Sequence, residues 1–221
     1  MKFRKQIITL LGAVLLGSSV SMSTVASADT IDSNPITNIT DTVDANKDTT
    51  KKTYKWTYPF KACEKYGVRP MFNAQVFGMT NYLRSVNPPS YFHDGWDFGH
   101  SEVGYSPVYA IHPGTVKKVG YANGLGWFIW IISPDKYVEI YQEGFTKKRD
   151  IYVKTGQKVK AGQKVKAGQK IGKLTGSHLH LGLTKTTKKY INKHGFPCNN
   201  WNVNNGTWLN PISVIKKHYR K

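Results

Sequence analysis

Apolar residues along this chain gather in short runs separated by Gly, Pro and Asn, at 107–111, 115–121, 127–132, 137–141 and 179–184. Runs of this length, rich in Val, Ile, Tyr and Trp, predict β-strands rather than helices. A stripe repeating every 3.6 residues emerges only at 211–218, which predicts one short terminal helix. The pattern therefore predicts an all-β fold, a sandwich or barrel, for most of the chain.

One stretch is periodic in sequence as well as in hydropathy. Gln157-Lys158-Val159-Lys160-Ala161-Gly162 returns as Gln163-Lys164-Val165-Lys166-Ala167-Gly168, and Gln169-Lys170-Ile171-Gly172 follows. Val159, Val165 and Ile171 stand an even number of residues apart, so they share one face of a strand and an added hexad leaves the alternation downstream in phase. The alternative reading is a Lys-rich loop.

The N-terminal part reads differently. Lys2, Arg4 and Lys5 precede an apolar stretch at 7–17, and Ala26-Ser27-Ala28 supplies small residues for cleavage before Asp29. This is the grammar of a signal peptide over 1–28. Spanning a bilayer takes about 20 apolar residues, so the stretch is not expected to anchor the chain, and the mature protein is expected to be secreted, extracellular or cell-wall associated. Residues 29–53, rich in Thr, Asp, Asn, Ser and Lys, read as a disordered leader. From Tyr54 onward aromatics are frequent, and a single domain over 54–221 is expected.

Composition narrows the partners. Hydrophobic residues make up 39% of the chain and aromatics 13%, which suffices for a buried core and excludes a disordered or fibrous protein. Against 32 Lys and Arg stand 13 Asp and Glu, a formal charge of +19 that attracts anionic polymers. Only Arg4, Arg69, Arg84, Arg149 and Arg220 are arginines. The field is thus mostly that of Lys, whose ammonium lacks the planar fork that reads bases, so no specific nucleic-acid partner is expected. Cys63 and Cys198 lie near opposite ends of the domain; export permits a disulfide, but two cysteines do not make a disulfide framework.

The histidines carry the candidate chemistry. His178 and His180 flank Leu179 in a predicted strand, so alternation sends both imidazoles to one face. The run His93-Asp94-Gly95-Trp96-Asp97-Phe98-Gly99-His100 reads as an aromatic polar loop in which His93 and Asp97 reach one ion if Gly95 lets the chain turn, with Asp94 and His100 as competing ligands. His112, before Pro113-Gly114, reads as a turn residue, and His194 and His218 as solvated. Two ligands from the early loop and one from the late strand would leave a fourth position open, the pattern of a catalytic zinc (Zn2+) rather than a closed structural one.

The order His93-x-x-x-Asp97, Gly104-Tyr105-Ser106-Pro107-Val108-Tyr109-Ala110, Gly114-Thr115-Val116, the Val-x-x-Gly repeats ending at Gly172, and His178-Leu179-His180 resembles the lysostaphin-type (M23) zinc metallopeptidases over residues 91–185. The resemblance implies an antiparallel β core with a central groove, zinc on His93, Asp97 and His180, and His178 as a catalytic histidine. It implies peptidoglycan stems or cross-bridges as substrate, and the chain is expected to act as a monomer. Members of this family usually carry Tyr-x-His before the Gly-rich repeats; here the stretch is Tyr141-Gln142-Glu143, and Glu143 takes the place of the second catalytic histidine. Tyr141 and Glu143, two apart on a strand, are expected to share the groove face. The alternative reading is a catalytically inactive homologue that binds the cell wall or regulates another hydrolase.

Overall fold

Alternation of large apolar residues with small or polar ones decides which face of each strand is buried. The computed structural model describes residues 54–71, 75–160 and 169–219, which fall in one compact unit, Thr53–Lys221. The expected signal peptide and leader, and Val165 with the whole second hexad, lie outside the described residues. A helix α1 (Lys61–Tyr66) leads into four two-residue strands, β1 (Gly78–Met79), β2 (Ser85–Val86), β3 (Pro89–Ser90) and β4 (Phe92–His93). Then come β5 (Gly95–Gly99), helix α2 (His100–Val103), β6 (Pro107–Tyr109), β7 (Gly114–Ala122), β8 (Gly126–Ile132) and β9 (Tyr137–Phe145). The chain ends with β10 (Lys158–Val159), β11 (Lys170–Lys173), β12 (His178–Lys185) and α3 (Pro211–His218).

Six strands form one antiparallel sheet in the order β10-β7-β8-β9-β12-β5. Its back face is the core. Leu179, Leu181 and Leu183 of β12, Ile129 and Ile131 of β8 and Tyr141 of β9 are fully buried there with Phe60, Ile212 and Ile215 from the helical side. Burying one such Leu is worth about 1.5–3 kcal/mol, so three in alternation pin the register of β12 and force His178, His180 and Gly182 to the front. β6 pairs with β11, whose Ile171 is fully buried, and Val159 of β10 is buried as well, but the two lie in different strands of different sheets and not on one face of a single strand.

The terminal helix starts where Asn210 caps it, its side-chain oxygen accepting from the amides of Ile212 and Ser213. Cys63 is buried, Cys198 exposed, and neither is in a disulfide. His112 sits in a bend before β7, in keeping with its reading as a turn residue, but it is also part of the buried interior. It is fully buried, stacks on Trp56 with ring centroids 3.9 Å apart, and sets Nε2 2.9 Å from Asp135 Oδ1 and Nδ1 3.1 Å from the Lys55 carbonyl. His194 and His218 are exposed as expected, although His218 also stacks on Trp56.

Candidate metal centre

The front of the sheet is organised by the pairing of β12 with β5. His180 lies opposite Asp97, His178 opposite Gly99 and Gly182 opposite Gly95, so the polar residues of two neighbouring strands meet on one face. The run around Asp97 is therefore an edge strand and not the loop its Gly and Asp content suggested, with Phe98 buried in the core on the opposite face. Gly95 is needed for closeness rather than for a turn: a Cβ there would lie 2.5 Å from His180 Nε2. His93 enters from β4, which is held by pairing with Gly78 of β1.

These elements bring three donor atoms into a small triangle. His93 Nε2 is 3.1 Å from His180 Nδ1, His180 Nδ1 is 3.1 Å from Asp97 Oδ1, and His93 Nε2 is 3.3 Å from Asp97 Oδ1. All three residues are buried, each at most 4% exposed. Donors about 2.0–2.1 Å from a tetrahedral zinc are about 3.3 Å apart, so the triangle has the size that ion requires. The chemistry of the set fits as well. His93 donates its Nδ1 hydrogen to the Val76 carbonyl at 2.8 Å, which leaves the Nε2 lone pair directed into the triangle. His180 turns Nε2 toward Asp94 Oδ1, 3.5 Å away, which orients Nδ1 inward.

Asp94 thus faces the outer nitrogen of His180 and stands outside the triangle. His100 is exposed, stacks on Tyr105 and points Nδ1 at the Ser177 carbonyl, away from the three donors.

His178 stands beside the triangle. Its Nε2 is 3.8 Å from Asp97 Oδ2 and 2.9 Å from Glu143 Oε2, and its Nδ1 is 2.9 Å from Ser177 Oγ. Glu143 reaches this position by an unexpected route. Tyr141 does not face the groove: it is fully buried on the back, where its hydroxyl accepts from the Ile111 amide and donates to Glu139. Between Tyr141 and Phe145 the pairing of β9 with β8 slips, and Glu143 adopts φ 67°, a left-handed conformation uncommon outside Gly. The bulge breaks the two-residue alternation and turns Glu143 toward His178.

The charges of the site reinforce one another. Burial alone would raise the Asp97 carboxyl, but hydrogen bonds from His180 and His93 outweigh it and hold Asp97 well below the usual carboxylate range. Burial would lower His180, yet the Asp94 and Asp97 carboxylates push it up to about 9. For Glu143 burial is again outweighed, here by the His178 hydrogen bond, so its carboxyl is lowered and it is ionised at neutral pH. The same hydrogen bond raises His178 against the opposing effect of burial.

Beyond His180 the front face continues as a cavity of about 150 Å³ whose walls include Phe128, Trp130, Ile140, Trp201 and Trp208. Phe128 and Trp130 fell in the predicted strand at 127–132, but which of its residues faced the front depended on register, and Trp201 and Trp208 lie outside the predicted strands. Of the groups that orient the imidazoles, Asp94 was visible as a candidate ligand, whereas Ser177 and the Val76 carbonyl, the latter 17 residues from His93, had no signal in the sequence.

The family model described as Peptidase family M23 matches residues 91–193. No curated protein sequence matches the chain. Among solved structures, CbpA from L. salivarius REN is 35% identical, with 74% of this chain and 96% of that one covered and a TM-score of 0.57. Lysostaphin is 26% identical over 66% of this chain and 51% of that one, TM-score 0.42. The catalytic domain of EnpA, a prophage-encoded M23 protein from Enterococcus faecalis solved as a point mutant, is 27% identical over 64% of this chain and 93% of that one, TM-score 0.35.

Proposed function

Because the chain belongs to peptidase family M23, we propose that it is a secreted zinc metalloendopeptidase that hydrolyses peptide bonds in the stems or cross-bridges of peptidoglycan. The observation that carries this reading is the buried triangle of His93 Nε2, Asp97 Oδ1 and His180 Nδ1, of the size and donor set that zinc takes. Bound there, zinc supplies Lewis acidity and lowers the pKa of a water toward about 7.

The chain's own groups then divide the proton chemistry. Glu143, ionised beside His178, takes the proton of the attacking water and passes it to the leaving amine. His178, whose protonated form is favoured by Glu143, presents positive charge where the carbonyl oxygen becomes negative. Ser177 fixes the ring by its contact with Nδ1. The apolar cavity beside His180 excludes water from the bound peptide, and the net positive charge that persists after removal of Lys2, Arg4 and Lys5 holds the enzyme at anionic wall polymers. On this reading residues 1–28 are removed on export and 29–53 lead into the catalytic domain.

A second reading, a homologue that binds the wall without cutting it, draws on one observation: Glu143 replaces the usual histidine and is engaged in an ion pair with His178. Incubating the mature protein with several purified peptidoglycans and identifying new termini by mass spectrometry separates the two. New amino and carboxyl termini are expected; zinc binding with no cleavage of any wall would establish the second reading.

A further inference from the structure

The groove that begins at the metal centre does not end in apolar surface. Cross-strand register sets Gly182 of β12 opposite Ile140 of β9, Ile140 opposite Trp130 of β8, and Trp130 opposite Lys118 of β7, one row across four strands. A bulge in β7 puts Lys118 in this row. Pairing slips between Val116 and Lys118, both Val116 and Val119 pack into the core, and the intervening Lys117 and Lys118 are exposed. Lys118 lies on the groove side, its ammonium 5.6 Å from the ring centre of Phe128, which lines the cavity, and 5.8 Å from that of Phe196. Among the described residues no carboxylate lies within ion-pair distance of it.

The groove is therefore polar in a directed sense. Asp94 stands at its metal end and Lys118 at the other, with aromatic and aliphatic walls between them. Three strand spacings of about 4.8 Å separate the backbones of Gly182 and Lys118, roughly 14 Å, which an extended peptide crosses in about four residues. The aromatic rings beneath the ammonium exclude water from one side of it, which strengthens its attraction for an anion without supplying one.

We propose that Lys118 is a specificity-determining residue that receives a carboxylate of the bound peptide, so that the site selects peptides bearing a free carboxylate three or four residues from the bond at the metal centre. The proposal rests on the peptidase reading for its choice of ligand, but its test reads binding rather than turnover. A muropeptide with a free C-terminal carboxylate and its C-terminal carboxamide are titrated against the zinc-loaded mature protein by calorimetry, using wild type, Lys118→Met and Lys117→Met. Lys117→Met removes the same charge from the neighbouring position and so reports the diffuse field alone.

Wild type and Lys117→Met should bind the carboxylate about five-fold more tightly than the carboxamide, and Lys118→Met should bind both alike. Equal affinities in wild type, a preference that survives in Lys118→Met, a preference lost equally in Lys117→Met, or no binding of either peptide would each overturn the assignment. Selective binding without any cleavage would leave Lys118 in place and sink the peptidase reading; cleavage without selectivity would do the reverse.

Discussion

Replacing Gly95 by alanine tests how closely β5 and β12 press the candidate centre together. The added Cβ would lie 2.5 Å from His180 Nε2, 2.7 Å from its Cε1 and 2.6 Å from the Leu181 carbonyl oxygen. Nonbonded heavy atoms pack at about 3.5 Å, so the imidazole must retreat by about 1 Å. The carbonyl cannot retreat with it, because Leu181 is paired to Trp96 on one side and Tyr141 on the other. Gly95 is not among the residues with positive φ, so the perturbation is steric and not a backbone strain. Overpacking of this kind costs about 1–3 kcal/mol, which lowers the melting temperature of a domain this size by about 5 °C. Displacing one ligand nitrogen by that distance should weaken zinc binding about 10- to 100-fold. Calorimetric zinc titration of the metal-free protein, with thermal melts, measures both. Gly182→Ala is the control, since its nearest neighbour would be Trp208 at 3.3 Å, and it should leave zinc affinity within a few-fold of wild type. Wild-type zinc affinity and melting temperature in Gly95→Ala would refute the reasoning.

Glu143→Gln keeps the shape of the side chain and removes the base; hydrolysis of peptidoglycan should fall by about two to four orders of magnitude with zinc retained, and unchanged turnover would exclude the role. Full burial pushes Glu139 up to about 8 from 4.5, against the opposing hydrogen bond from Tyr141. The fold therefore binds this proton more tightly than the unfolded chain does, and stability should decline as pH rises from 4.5 to about 8 and level off beyond. Glu139→Gln carries no such proton and should show a shallower decline in melts across that range, whereas parallel curves would contradict the linkage. Deleting residues 162–167 shortens the connection between β10 and β11, and since closure entropy varies with the logarithm of loop length the change is worth only a few tenths of a kcal/mol, about 1 °C in melting temperature. Retention on anionic wall material should drop; unfolding would show that the hexad is integral to the sheet.

The main strands were legible because each is a run of β-branched and aromatic residues with one face to bury, and β12 is the clearest case, its three leucines alternating with His178, His180 and Gly182. β5 was not, because Gly95, Asp97 and Gly99 depress strand propensity; it forms because its pairing with β12 buries Phe98. α1 is too short to show a helical stripe. At the site, the two histidines of β12 could be placed from alternation alone, whereas Glu143 could not: parity predicts a shared face with Tyr141 only for an unbroken strand, and the bulge at Glu143 breaks it. The bend at His112 was legible but its burial was not, since its partners Trp56, Asp135 and the Lys55 carbonyl come from separate parts of the chain and no local pattern announces them.

The central claim is that His93, Asp97 and His180 hold one zinc ion while the neighbouring His178 does chemistry beside it. Zinc content after exhaustive dialysis, measured on wild type and on His93→Ala, Asp97→Ala, His180→Ala and His178→Ala, tests it most directly. The account predicts one zinc per chain in wild type and in His178→Ala, and loss of zinc in each of the other three, because two remaining donors do not hold the ion tightly. Full zinc retention in any of those three, or zinc loss in His178→Ala, would contradict it.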